Sequence, residues 1–101
     1  MAIQFVSRSI PFDATAGIIQ RESVTVPFSG RVRSAEAALK GFDIAYTNGD
    51  HNLLRQRVDL DVAHAEHSVT VTASFLLRDA SGNIDDPFQG RVECLIIAEV
   101  V

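Results

Sequence analysis

Tryptophan is absent from the 101 residues, and cysteine occurs once, at Cys94. A single thiol excludes any disulfide within the chain, the pattern of a protein folded in a reducing compartment or in a particle assembled there. Basic clusters are also missing. Nine lysines and arginines are scattered against thirteen acidic residues, for a net charge of -4. Neither nucleic acid nor an anionic membrane surface is therefore the expected partner. No apolar run approaches the roughly twenty residues a membrane-spanning helix needs, so no membrane insertion is expected. The opening MAIQFVSRS lacks the basic-then-apolar layout of a signal peptide, and cytoplasmic synthesis is the expectation. A nucleophile elbow, a phosphate-binding glycine loop and a zinc-protease helix are all lacking, so the chain is not expected to be an enzyme.

What is present is an apolar share of 47%, enough for one packed core, and residues 1–101 read as a single domain. The dominant pattern has period two. Leu54, Val58, Leu60 and Val62 share one face of a strand, and Arg55, Arg57, Asp59 and Asp61 share the other. Val69, Val71, Ala73, Phe75 and Leu77 likewise oppose Thr70, Thr72, Ser74 and Arg78, with Leu76 among the polar set. Val24, Val26 and Phe28 alternate with Ser23, Thr25 and Pro27, and Ile3 and Phe5 flank Gln4.

The last segment departs from this. From Val92 to Val101, apolar residues fall on both faces: Val92, Cys94, Ile96, Ala98 and Val100 on one, Leu95, Ile97 and Val101 on the other. Such a strand either lies under a second layer or packs its outer face on another subunit, and a chain this short has little left for a third layer. Leu76 fits the same expectation. Residues 33–41 carry two readings. Ser34 as N-cap and Gly41 just past the end frame a short helix. Alternatively a strand runs from Val32 to Tyr46, with Ala37 and Leu39, then Phe42, Ile44 and Tyr46, on one face. In that reading a bulge at Gly41 absorbs the extra residue, with the glycine supplying positive φ.

Turn-forming residues separate these segments at Asp13 to Gly17, Ser29-Gly30, Asn48-Gly49-Asp50, Ala63 to Ser68, and Ser81-Gly82-Asn83 followed by Asp85-Asp86-Pro87. Six strands with short polar connections specify an all-β, six-stranded antiparallel β-sandwich. The apolar surface at Leu76-Leu77 and Leu95 to Ile97 favours self-association.

The order of the pieces resembles the H-type lectin family. Its landmarks here are Val24-Thr25-Val26-Pro27-Phe28, then Leu39-Lys40-Gly41-Phe42-Asp43-Ile44, then Asn52-Leu53-Leu54-Arg55-Gln56-Arg57-Val58, the valine-rich Val69 to Leu77, and Leu95-Ile96-Ile97-Ala98, together spanning about residues 22 to 99. The resemblance implies a homotrimer or stacked hexamer that binds carbohydrate at clefts between subunits. It implies an arginine in the sugar site, either Arg55 or Arg57. The family's tryptophan before the terminal apolar-alanine element is replaced, Ile97 standing at that position, and the preceding loop, Asp79 to Gly90, is longer. A structural or adhesive oligomer that has lost sugar binding, as part of a phage-like or secreted particle, is therefore the alternative.

The chemistry of the residues themselves adds candidates. A guanidinium offers a fixed fork of donors to neighbouring sugar hydroxyls, although Arg55 and Arg57, alternating with Asp59 and Asp61, equally suit ion pairs along the sheet. Tyr46, Asn48, Asp50, His51 and Asn52 combine an aromatic ring, amides and a carboxylate, the mixture a carbohydrate wall uses; Asn48-Gly49 is equally a tight turn. Asp79, Asn83 and Asp85, with Ser81 between, space oxygen donors in a way that suits calcium, but Gly82 stands at the fourth position of the loop and no glutamate at the twelfth. No cofactor is expected, calcium being the one left open. His64 and His67 lack a cysteine partner, and Cys94 lies on the face assigned to the core.

Overall fold

The computed structural model describes residues 2–16, 19–47, 53–79 and 87–101. They form six strands: β1 (Ala2–Ala16), β2 (Ile19–Pro27), β3 (Val32–Tyr46), β4 (Leu53–His64), β5 (Ser68–Asp79) and β6 (Pro87–Val100). Among the described residues there is no helix. The strands make two antiparallel three-stranded sheets, ordered β1-β6-β3 and β2-β5-β4. A 15-residue strand at about 3.3 Å per residue is roughly 50 Å long, which accounts for the overall extents of 51 × 17 × 16 Å.

Burial alternates in the two strands that lie centrally, including β6, whose sequence is apolar on both faces. In β5 the side chains of Val69, Val71, Ala73, Phe75 and Leu77 are buried, and in β6 those of Val92, Cys94, Ile96, Ala98 and Val100. These rows belong to one apolar cluster, joined by Ile10 and Phe12 of β1 and Val26 of β2. Aromatic rings link the sheets: Phe75 of β5 tilts against Phe42 of β3 at 5.5 Å and against Phe88 of β6 at 6.1 Å. Such pairs add about 0.5–1.5 kcal/mol beyond the area they bury. Period two is sharp in β5 and β6 because each is hydrogen-bonded on both edges and cannot rotate its polar face inward.

The two ends of the molecule are fastened differently. At one end, Phe28 donates its N–H to the His67 carbonyl at 2.8 Å, and Val32 to that of Glu66 at 2.7 Å. Arg31 and Val101 also exchange backbone bonds there, at 3.2 and 2.9 Å. At the other end the buried Gln20 donates through Nε2 to the carbonyls of Phe88, at 2.9 Å, and Thr15, at 3.1 Å. One amide thereby ties β2 of one sheet to β1 and β6 of the other. A buried amide needs such partners, since an unmet donor costs about 1–3 kcal/mol.

Several expectations are sharpened. Residues 33–41 belong to a strand, and β3 carries its register shift between Leu39 and Gly41, with Lys40 as the extra residue. Ala37, Leu39, Phe42, Ile44 and Tyr46 consequently all pair on one side of the ladder. Positive φ plays no part at Gly41: the only described residue with it is Gly90, at 152°. Gly90 lies within β6, because the strand begins at Pro87 and draws 87–90 out of the expected loop. Likewise β1 continues through the expected turn at Asp13 to Ala16, absorbing a register shift between Phe12 and Thr15. Leu76 contributes little open surface: flanked in the ladder by Ile19 and Arg57, it is 9% exposed.

Candidate functional site

The arginines of β4 fall on the face of the β2-β5-β4 sheet turned away from the core, because Gln56, Val58, Leu60 and Val62 pair with the inward row Leu77, Phe75, Ala73 and Val71. On that outer face Arg57 and Asp59 sit two residues apart, and Arg57 Nε lies 2.9 Å from the Asp59 carboxylate. This charge-assisted bond occupies part of the guanidinium fork. Arg55 is in a different setting. Its cross-strand partner is Arg78 of β5, so two guanidiniums stand opposite each other. Like charges directly opposed across a ladder repel. Both side chains are exposed, and among the described residues neither has a carboxylate partner. The register thus separates two arginines that the sequence left equivalent, and adds Arg78 beside the free one.

Tyr46 ends β3 at the same end of the molecule. Its ring is half-buried and meets Phe88 edge-on, centroids 6.3 Å apart and planes at 82°. The ring therefore belongs in part to the core. Asn48, Asp50, His51 and Asn52 lie outside the described residues, as do Asn83 and Asp85 of the calcium candidate. Asp79 closes β5 at 3% exposure, opposite Leu53 in the ladder. Among the described residues no three His, Cys, Asp or Glu side chains gather in a way that could hold a metal ion. At the opposite end, a ring nitrogen of His67 is bonded to the Gly30 carbonyl at 2.8 Å, while His64 lines a cleft with Arg31 and Arg33. Cys94 lies fully buried on β6; burial pushes its thiol above the ordinary value, partly offset by a backbone hydrogen bond from Arg8 and by that residue's charge.

The outward face of the β1-β6-β3 sheet is apolar at its centre. Ile3 and Phe5 are exposed, at 58% and 66%, and Phe5 stands directly opposite Ile97. Leu95 and Ile97 are partly buried, with Glu93 and Glu99 continuing the row on either side. This row contrasts with the outer face of β5, where Thr70 bonds Thr25 at 3.0 Å and Thr72 bonds Ser23 at 2.8 Å. Hydroxyls line this part of the one outer face, whereas Ile3, Phe5, Leu95 and Ile97 cluster on the other, with Ser7, Glu93 and Glu99 around them. Ile3 and Phe5 were legible as alternating apolar residues; that they turn outward, while Val6, Ile10 and Phe12 turn inward, follows only from the register with β6.

The fold and these faces define an all-β protein of two antiparallel three-stranded sheets, one of which exposes Ile3 and Phe5 on its outer face. No family model, curated protein or solved structure matches the chain. No helix among the described residues is long and apolar enough to cross a membrane.

Proposed function

We propose that the chain is a β-sandwich of H-type lectin type, a non-catalytic carbohydrate-binding module acting as a homotrimer or hexamer with its sites at clefts between subunits. The observation that carries this reading is the contrast between two arginines: Arg57 is engaged by Asp59, whereas Arg55 faces Arg78 and keeps its donors available. A planar fork with free donors is suited to adjacent hydroxyls of a sugar ring. Six strands in two antiparallel sheets agree with the architecture that the resemblance implies. The Phe5–Ile97 surface supplies an apolar face for a second copy. Repeated weak sites then gain by multivalency.

A structural or adhesive oligomer, a component of a released particle without sugar binding, is favoured by one specific feature, the missing tryptophan at the position held by Ile97. A glycan array on the purified protein separates the two. Saturable binding that is lost in Arg55→Ala and retained in Asp61→Ala supports the lectin reading. Silence toward all glycans, with a mass by light scattering that is a multiple of 11.0 kDa, supports the scaffold.

A further inference from the structure

Four strands lie at sheet edges, β1 and β3 in one sheet and β2 and β4 in the other. An edge strand offers a row of backbone N–H and C=O groups to any second strand, and charge, proline or a bulge discourages that pairing. Three edges carry such features along their length. β3 has two register shifts, with Lys40 as the extra residue at the second and Asp43 just beyond it. β4 has a charge at every second position from 55 to 61, and a register shift between Leu53 and Arg55. β2 carries Glu22 on its core-side row, opposite Ala73, and ends on Pro27, which has no N–H to offer.

β1 is divided. Its second half holds Arg8, Pro11 and the register shift before Thr15. Its first half, residues 2–7 with the sequence AIQFVS, has no charge, no proline and an unbroken ladder with β6. Gln4 is exposed on the core-side row, opposite Ala98, while Ile3 and Phe5 are exposed on the outer row, opposite Glu99 and Ile97.

This segment is complementary to itself. Laid antiparallel against its own copy about a two-fold axis normal to the sheet, with Gln4 facing its counterpart, it sets Ile3 opposite Phe5 of the second copy and Ala2 opposite Val6 of the second copy. Apolar residues then meet apolar residues on both rows, and the two amides meet at the centre. Neighbouring registers are poorer. Centring on Phe5 sets Ile3 opposite Ser7, Gln4 opposite Val6 and Ala2 opposite Arg8; centring on Ile3 carries Phe5 past the start of the strand at Ala2. Directly opposed apolar side chains in an antiparallel pair stabilise it, and a two-fold contact makes each favourable pair occur twice.

We propose that residues 2–7 of β1 are an edge at which two copies of the chain join, antiparallel and in the Gln4-to-Gln4 register, so that the two β1-β6-β3 sheets continue as one. The occupant is a second copy because the segment's own sequence supplies the matching pattern. This contact lies in the plane of the sheet and is distinct from packing on the outer Phe5–Ile97 face. A hexamer needs both kinds, a two-fold contact in addition to the one that closes a ring of three. Sugar binding at Arg55 is not required for it.

The test is symmetric cross-linking of the full chain. Directly opposed residues of an antiparallel pair have Cα atoms about 4.5–5.5 Å apart, within the roughly 4.4–6.8 Å that a disulfide spans. Gln4→Cys, mildly oxidised with diamide and then alkylated, is expected to run on a non-reducing gel at twice 11.0 kDa. Ile3→Cys sets its thiols diagonally across the axis, about 7–8 Å apart, and should remain at 11.0 kDa, as should the unaltered chain with its buried Cys94. Gln4→Lys puts two like charges face to face at an exposed position, so light scattering should show the mass halved with the thermal unfolding of the chain unchanged. A monomeric unaltered chain, equal cross-linking of Ile3→Cys, or an unchanged mass in Gln4→Lys would overturn the proposal. A trimer without the Gln4→Cys cross-link overturns it and leaves the lectin reading standing, whereas a cross-linked dimer that binds no glycan supports it and removes that reading.

Discussion

Phe5 of β1 stands directly opposite Ile97 of β6 on the outer face of its sheet, and it is two-thirds exposed while every second neighbour on the opposite face of β6 is fully buried. A phenylalanine in water forgoes most of the roughly 1.5–3 kcal/mol that its burial contributes. Ile3 beside it, Ile97 opposite and Leu95 next along β6 make a small apolar cluster bordered by Ser7 and Glu99. Phe5→Asp is expected to leave the melting temperature of the single chain within the range of ordinary surface substitutions, about 0.5 kcal/mol, because little is buried there. If the chain self-associates through this face as proposed, the same change would place a charge between copies, and light scattering should report a fall to 11.0 kDa. An unaltered chain that already has that mass would remove the basis for self-association.

Arg55 and Arg78 are expected to oppose each other energetically as well as geometrically. Replacing Arg78 with Thr, a residue at home in a half-exposed strand, should raise stability by a few tenths of a kcal/mol at low salt, and the gain should fade as salt screens the pair. Urea unfolding at two ionic strengths measures this. A loss of stability at low salt would mean that Arg78 has a stabilising partner and that the pair is not strained.

Gly90 and Gly41 are expected to respond oppositely to alanine. A Cβ on Gly90 would run into the carbonyl of Asp43 on the neighbouring strand, and φ there is 152°, a value L-residues rarely adopt. Gly90→Ala should cost about 3 kcal/mol or more, combining backbone strain with displacement of β3. At Gly41 a Cβ would meet only Glu93 Oε2, at 3.8 Å. Gly41→Ala should be neutral or stabilising by about 0.5 kcal/mol through lost freedom of the unfolded chain. Chemical denaturation of the two variants side by side checks the contrast, and equal effects would contradict it.

Cys94 gives a pH dependence with a definite sign. Burial raises the folded thiol above its ordinary 9.0, so the folded chain holds a proton that the unfolded chain releases. Stability should therefore be unaffected by this group below pH 9.0 and fall as pH rises from there toward the raised folded value. Cys94→Ala should flatten that alkaline limb while lowering stability at neutral pH through the cavity it leaves. The native thiol should also resist an alkylating reagent until the chain opens; rapid labelling under native conditions would show that the strand is not closed over it.

The sequence alone determined the elements whose physical cause is local. Period-two alternation identified β4 and β5, since a strand that is buried on one face must place apolar side chains at every second position, while the last strand, β6, stood out by carrying apolar residues on both faces. The count of residues between Leu39 and Phe42 required a bulge if that stretch was a strand. The sequence could not distinguish Arg55 from Arg57, because both lie on one face of the same strand and differ only in what lies across the ladder. Nor could it bring Lys40 to Ser7, 33 residues away, or show that Phe5 turns outward and Gln20 inward. Those outcomes depend on strand order and register, which hydrogen bonds between distant segments fix, and a shift of one residue in register would exchange the core face for the solvent face. Tertiary pairing decided which polar and apolar groups meet.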